Sequence, residues 1–359
     1  MAAMLKKRLP TWDIFCRVID NFGDIGVCWR LARQLRQEFD CEVRLWVDEL
    51  EPLRAMHPTL DCQQARQNLE GVDIWHWSAP VIPGYVASVV IEAFACDLPE
   101  VYLDAMAQRD TKPIWINLEY LTAESWAESC HGMASPHPRL PLTKYFYFPG
   151  FTLPTGGLLR EHHWQAGNSA PHDRLGSPLR ISLFCYDTAP VGDLLEALEA
   201  MPMPSLCLIP PGKPLLAVQK LLPENGPWQL NQAKLQPIPF LSQKDYDGLL
   251  ASCDLNFVRG EDSFVRAHWA GKPFVWQIYQ QAEDAHLVKL KAFLEHASPE
   301  GAWHQLNNAW NTGRDFHSAW DNFWANYATI SKQCQTWREK LLQQPDLASQ
   351  LVKFCIARL

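Results

Sequence analysis

No apolar run in this 359-residue chain reaches the ~18 residues that a membrane-spanning helix needs. Lys6, Lys7 and Arg8 near the start lack a secretory core behind them, because Asp13 and Arg17 interrupt the apolar stretch that follows. The 11 cysteines form no Cys-x-x-Cys pair and no Cys/His block at zinc spacing. They fall singly among apolar neighbours, as in Phe15-Cys16 and Phe354-Cys355, the pattern of reduced thiols in a cytoplasmic core. The Gly-x-Ser-x-Gly elbow of serine hydrolases and the phosphate loop of nucleotide hydrolases are both missing. A basic surplus is missing too: 32 Lys and Arg stand against 40 Asp and Glu, a net charge of −8. Direct nucleic-acid binding is therefore not expected, and neither is a membrane partner. The sequence also shows no internal repeat of fixed period.

What is present is an ordinary globular balance, 47% hydrophobic and 20% charged, long enough for two domains. Strands are predicted over 12–19, 42–47, 72–77, 88–94, 113–118 and 145–148, and helices over 25–39 and 100–108. Val27, Leu31, Leu35 and Phe39 form one face of the first helix. A Gly/Pro/His-rich stretch over 156–178 reads as an interdomain linker or a surface loop. Alternation resumes with strands over 179–186, 205–209, 235–238, 254–258 and 273–278, separated by helices over 191–201, 213–222, 242–253 and 261–270. Helices alone follow 282. The near-continuous apolar strands predict α/β domains with mainly parallel sheets covered by helices. The domains are placed at 1–170 and 179–340, with the first domain as candidate partner of a last helix at 345–359. Ligands of such folds bind beyond the carboxyl ends of the strands, so a cleft is the expected site.

Two strand-to-helix turns hold the chemistry. The first is Asp20-Asn21-Phe22-Gly23-Asp24-Ile25-Gly26. A dinucleotide fold would place Gly-x-Gly-x-x-Gly here, but two carboxylates occupy the turn and would repel a pyrophosphate. An acidic turn suits a cationic substrate or a proton-accepting base; the structural alternative is that Asp24 caps the helix and Asp20 ends the strand. The second turn is Val258-Arg259-Gly260-Glu261-Asp262-Ser263, where Arg259 and the amides of a helix start can take an anion. Its structural alternative is a capped helix beside a surface Arg. With the following Gly271-Lys272-Pro273 turn it resembles the nucleotide-sugar half of two-domain glycosyltransferases. Asp245-Tyr246-Asp247 has the letters of a metal motif but lies within a predicted helix, where residues two apart diverge. His162-His163 lack ligand partners at metal spacing, and most of the 16 tryptophans are expected to be packing.

The motif 18–26 with Trp29-Arg30-Leu31-Ala32-Arg33 resembles the opening of the bacterial protein-arginine rhamnosyltransferases of the EarP type. So do the block from Ile91 to Glu100, the block Asn117-Leu118-Glu119-Tyr120-Leu121 and the stretch from Arg259 to Pro273. The resemblance implies a GT-B glycosyltransferase fold, two Rossmann-like domains facing a central cleft. It implies an inverting, metal-independent, cofactor-free transfer of L-rhamnose from dTDP-β-L-rhamnose to an arginine of translation elongation factor P, which relieves stalling at proline runs. Asp24 matches the family's general base and Asp20 its companion acid, with Glu261 the third catalytic position. Phe22, Gly23, Tyr186, Phe240, Gln243, Arg259, Glu261, Asp262 and Ser263 match the donor contacts, Phe240 and Gln243 at the thymine. The pattern departs at Cys185 and at Leu241-Ser242. A sugar-nucleotide epimerase, which needs no protein acceptor, and a non-catalytic translation-factor-binding protein are the alternative readings; intact Asp20, Asp24, Arg259 and Glu261 argue against the second.

Overall fold

The computed structural model describes residues 10–20, 22–77, 85–162, 164, 178–222, 225–280, 285–298 and 300–359. They divide into two units, one of residues 1–164 and 344–359 and the other of residues 165–343.

The first unit holds β1 (Thr11–Cys16), α1 (Phe22–Glu38), β2 (Glu42–Val47), α2 (Glu51–Met56), β3 (Arg66–Leu69), β4 (Val72–His76), β5 (Val89–Ala93), α3 (Glu100–Gln108), β6 (Ile114–Leu118), α4 (Trp126–Cys130), β7 (Ala134–Pro136) and β8 (Thr143–Tyr147). Its sheet runs β3-β4-β2-β1-β5-β6-β8-β7. The inner strands pair in parallel, and the edge strands β3 and β7 pair antiparallel with β4 and β8. β1 and β5 are buried at every position, as expected of strands covered on both faces. Phe15 stacks on Trp46 at 5.2 Å between ring centroids, within a core that also includes Tyr102, Met106 and Trp115.

One charged group interrupts β1. Asp13 is fully buried and takes both Nε and an Nη of Arg44 at 2.5 Å, together with the hydroxyl of Tyr102. Burial beside this carboxylate pushes the Tyr102 hydroxyl well above its ordinary range. A buried pair broken on one side strands the other charge. Asp13→Asn is therefore expected to destabilise the unit by about 3 kcal/mol, read as a lower melting temperature.

The second unit holds β9 (Leu179–Leu183), α5 (Val191–Ala200), β10 (Ser205–Ile209), α6 (Lys213–Gln219), β11 (Trp228–Leu230), β12 (Ala233–Pro237), α7 (Gln243–Ser252), β13 (Leu255–Arg259), α8 (Asp262–Ala270), β14 (Phe274–Gln277), α9 (Ala285–Ala297), α10 (Ala302–Thr312), α11 (Phe316–Ala325) and α12 (Tyr327–Leu342). Its sheet runs β11-β12-β10-β9-β13-β14, parallel except for β11 on β12. Gly271 ends α8 in the left-handed conformation at φ 63°, which a glycine adopts without steric penalty. Of the tryptophans of the later helices, Trp303, Trp310, Trp320 and Trp337 are buried and Trp324 is half-buried. No helix among the described residues is long and apolar enough to cross a membrane.

The last helix, α13 (Leu347–Ile356), belongs to the first unit. Asp346 caps it by accepting the Ser349 amide at 2.9 Å, and Gln34 of α1 donates to the same carboxylate. The stretch read as a linker from 156 needs correction. Gly156, Gly157, Leu158, Leu159 and Glu161 are buried in the first unit. Gly157, at φ 74°, lies so close to Pro345 that a Cβ would stand 2.5 Å from its carbonyl oxygen. Arg30 and Arg33 face Glu161 at 3.6 and 3.7 Å. Glycine here serves close packing rather than chain freedom, which composition alone does not distinguish. His163 and residues 165–177 of that stretch lie outside the described residues.

Candidate active site

In the first unit the carboxyl ends of β1, β5 and β6 are adjacent, because β5 pairs with both of the others. Asp24 sits in the first turn of α1 and is 3% exposed. Its Oδ2 accepts the amides of Ile19 and Asp20, each at 2.8 Å, so the carboxylate reaches back to lock the turn. Its Oδ1 lies 3.4 Å from the Tyr120 hydroxyl, which donates to it. A helix N-terminus favours a negative charge at this position. Asp20 is half-buried, and its carbonyl accepts the Gly23 amide at 2.6 Å. A Cβ on Gly23 would meet Asp20 Oδ2 at 2.9 Å, so this glycine gives the Asp20 carboxylate room to fold against the helix start. Phe22 opens the helix and is half-buried.

In the second unit every nominated donor residue leaves the carboxyl edge of one sheet. Phe240 and Gln243 follow β12, Tyr186 follows β9, and the turn from Arg259 to Ser263 follows β13. Arg259 is buried, with its guanidinium 4.4 Å from the ring centroid of Phe184 and 4.7 Å from that of Tyr186. It donates to the Cys185 carbonyl at 3.0 Å. Two ring contacts and one hydrogen bond hold the cation in place. The Tyr186 amide donates to Gln277 Oε1 at 2.7 Å. Gly260 makes the bend at φ 61°, and its carbonyl accepts Trp276 Nε1 at 2.8 Å. Glu261 precedes α8 at its cap position and Asp262 opens the helix, and both are half-buried. Ser263 is buried, and its hydroxyl accepts the Arg259 amide at 3.0 Å and donates to the Arg259 carbonyl at 2.5 Å. It fastens the turn that presents Arg259.

Gln243 is buried at the first position of α7, capped by Ser242, while Phe240 is 41% exposed. The two aspartates of the metal-like triplet have separate partners. Asp245 accepts from the Ser242 hydroxyl at 2.7 Å, and Asp247 takes Arg266 at 2.8 and 3.0 Å. His162 lies 3.5 Å from Glu38. Two groups escaped the sequence reading. Lys213 opens α6 with its Nζ 5.2 Å from the Tyr186 ring, adding a second cation to that edge. The Pro-Pro-Gly-Lys turn at 210–213 was its signal. Tyr120 beside Asp24 was legible only as a letter of a resembling block.

Two mainly parallel α/β units with candidate residues at the carboxyl edges of their sheets have the GT-B fold of glycosyltransferases. The solved structure of Acinetobacter baumannii MurG, at TM-score 0.51 and 14% identity, covers 97% of this chain and 100% of that one and shares the fold alone. The structure solved for EarP-mediated arginine glycosylation of translation elongation factor EF-P aligns at TM-score 0.65 with 32% identity, covering 98% of this chain and 100% of that one. The protein-arginine rhamnosyltransferase of Pseudomonas putida is 44% identical over 375 residues, 96% of this chain and 98% of the relative. The model of the Elongation-Factor P (EF-P) rhamnosyltransferase EarP family matches residues 12–356, and this chain belongs to that family.

Proposed function

We propose that the chain transfers L-rhamnose from dTDP-β-L-rhamnose to an arginine side chain of elongation factor P, inverting the anomeric configuration. The observation that carries this reading is Asp24, buried on a rigid turn with one oxygen committed to two amides and the other directed away from them. A guanidinium has a pKa above ~12 and a delocalised lone pair, so it attacks only when a base accepts its proton. Asp24 takes that proton as the nitrogen–carbon bond forms. Asp20 orients the guanidinium fork. The anomeric carbon–oxygen bond breaks with its electron pair going to the dTDP diphosphate. Arg259, Lys213 and the amides at the start of α8 balance the charge of that leaving group. Displacement from the opposite face inverts the carbon. Glu261 and Asp262 contact sugar hydroxyls, and Tyr186 lines the donor. The reaction requires no cofactor, and the protein works in the cytoplasm, where its eleven free thiols stay reduced.

Incubation with dTDP-rhamnose and elongation factor P tests this directly. Mass spectrometry is expected to find one added deoxyhexose on one arginine. Binding without mass gain would leave only a binding protein, and consumption of dTDP-rhamnose into another sugar nucleotide would indicate an epimerase.

Phe240 supplies a separate check on the donor side. A stacked base is worth about 1–3 kcal/mol. Phe240→Ala is expected to weaken dTDP binding by about that amount while leaving the melting temperature unchanged, because the ring is already 41% exposed. Calorimetry with dTDP and a thermal melt on the same variant decide between base stacking and core packing.

A further inference from the structure

The turn after β5 has an unusual backbone. Phe94, Ala95 and Asp97 all adopt positive φ, at 56°, 51° and 56°, without a glycine among them. Side chains disfavour that region, and such strain persists where the surroundings over-determine it, commonly at functional sites. Here the surroundings are built for it. Glu92, buried at the end of β5, accepts the Asp97 amide at 3.3 Å, and Trp115 and Lys144 hold the same carboxylate at 3.0 and 3.2 Å. The Phe94 amide donates to the Leu118 carbonyl at 2.7 Å, at the carboxyl end of β6.

The product of this turn is the position of one ring. Phe94 stacks on Tyr120 with centroids 4.4 Å apart and planes 15° from parallel. The Tyr120 hydroxyl then donates to Asp24 Oδ1. Oδ2 is held by two amides, so Oδ1 is the oxygen that faces an incoming proton. At 3.4 Å the hydroxyl orients this oxygen without saturating it, and an arriving N–H donor can compete.

We infer that Tyr120 is a positioning residue for Asp24, fixing the proton-accepting oxygen, and that the strained 94–97 turn serves to hold the Tyr120 ring by the Phe94 stack. This inference rests on the proposed role of Asp24 as base. Tyr120 acts through Asp24 rather than on the sugar or the acceptor. Its loss therefore slows the chemical step and leaves ground-state binding alone.

The test measures kcat, both KM values and the melting temperature for Tyr120→Phe, Phe94→Leu and Asp24→Asn in the arginine transfer assay. Tyr120→Phe keeps the ring and its stack and removes only the hydroxyl. Its kcat is expected to fall about tenfold, the worth of one hydrogen bond to a charged group, with both KM values and the melting temperature unchanged. Phe94→Leu keeps the hydroxyl and loses the stack, and a fall in kcat with unchanged KM is expected again. A wild-type kcat for Tyr120→Phe overturns the inference. So does a rise in acceptor KM at constant kcat, which would make Tyr120 an acceptor contact, or a kcat loss matched by a lower melting temperature, which would make the hydroxyl structural. Asp24→Asn separates the two levels. If it transfers normally, the base assignment itself fails; if it is inactive while Tyr120→Phe is unaffected, only the positioning role fails.

Discussion

Asp24→Asn is expected to slow arginine transfer about a thousandfold, within the range for losing a general base, while dTDP binds as before. Asparagine is nearly isosteric and keeps an oxygen for the amides of Ile19 and Asp20, so the turn is expected to persist. What it cannot do is accept a proton from a group as weakly acidic as a guanidinium. The residues expected at the thymine, Phe240 and Gln243, lie in the second unit, so calorimetry with dTDP is expected to show wild-type affinity. Undiminished transfer would remove Asp24 from the chemistry and return it to the purely structural role of locking its turn.

Arg259→Ala is expected to cost turnover by a similar factor, about a thousandfold, because the leaving diphosphate loses a preorganised cation. The guanidinium lies over the rings of Phe184 and Tyr186 and is bonded to the Cys185 carbonyl, so little reorganisation is needed when charge develops. Arg259→Lys is expected to restore only part of the rate, since an ammonium cannot stack on both rings in the same way. Full activity is expected in excess EDTA, with Arg259, Lys213 and the α8 amides supplying the compensating charge. The acidic triplet has other work: Asp247 pairs with Arg266 and Asp245 with Ser242. Loss of transfer in EDTA, regained with magnesium or manganese, would show that a divalent ion takes this role. An unaffected Arg259→Ala enzyme would shift the charge to the helix start and Lys213.

Legibility in the sequence followed element length and burial. α3 and β10 occupy the residues predicted for them, and β2 does as well, because each is bounded by turn residues and has one clear period. α2, β3, α4, β7 and β11 were not anticipated; at three to six residues they are too short for a period to be recognised, and pairing to a neighbour holds the strands among them. The stretch from Gly156 was misread for a related reason. Glycine, proline and histidine mark loops by composition, but burial against α13 is a long-range property.

The sequence by itself determined the two parallel-sheet units and the two acidic or basic strand-to-helix turns. Hydrophobic periodicity and turn chemistry are local, and Asp20, Asp24, Arg259 and Glu261 lie within short contiguous motifs. Tertiary structure decided which atom of each side chain is engaged. Asp24 and Tyr120 are 96 residues apart and meet only because β1, β5 and β6 are neighbours in the sheet. Arg259 and Cys185 are 74 residues apart and meet because β9 and β13 pair. Ser263, a match to the donor contacts by sequence, has a hydroxyl that fastens its own turn through two backbone partners. A hydrogen bond depends on positions within a few tenths of an ångström, and strand order, which sets those positions, is a property of the whole chain rather than of any motif in it.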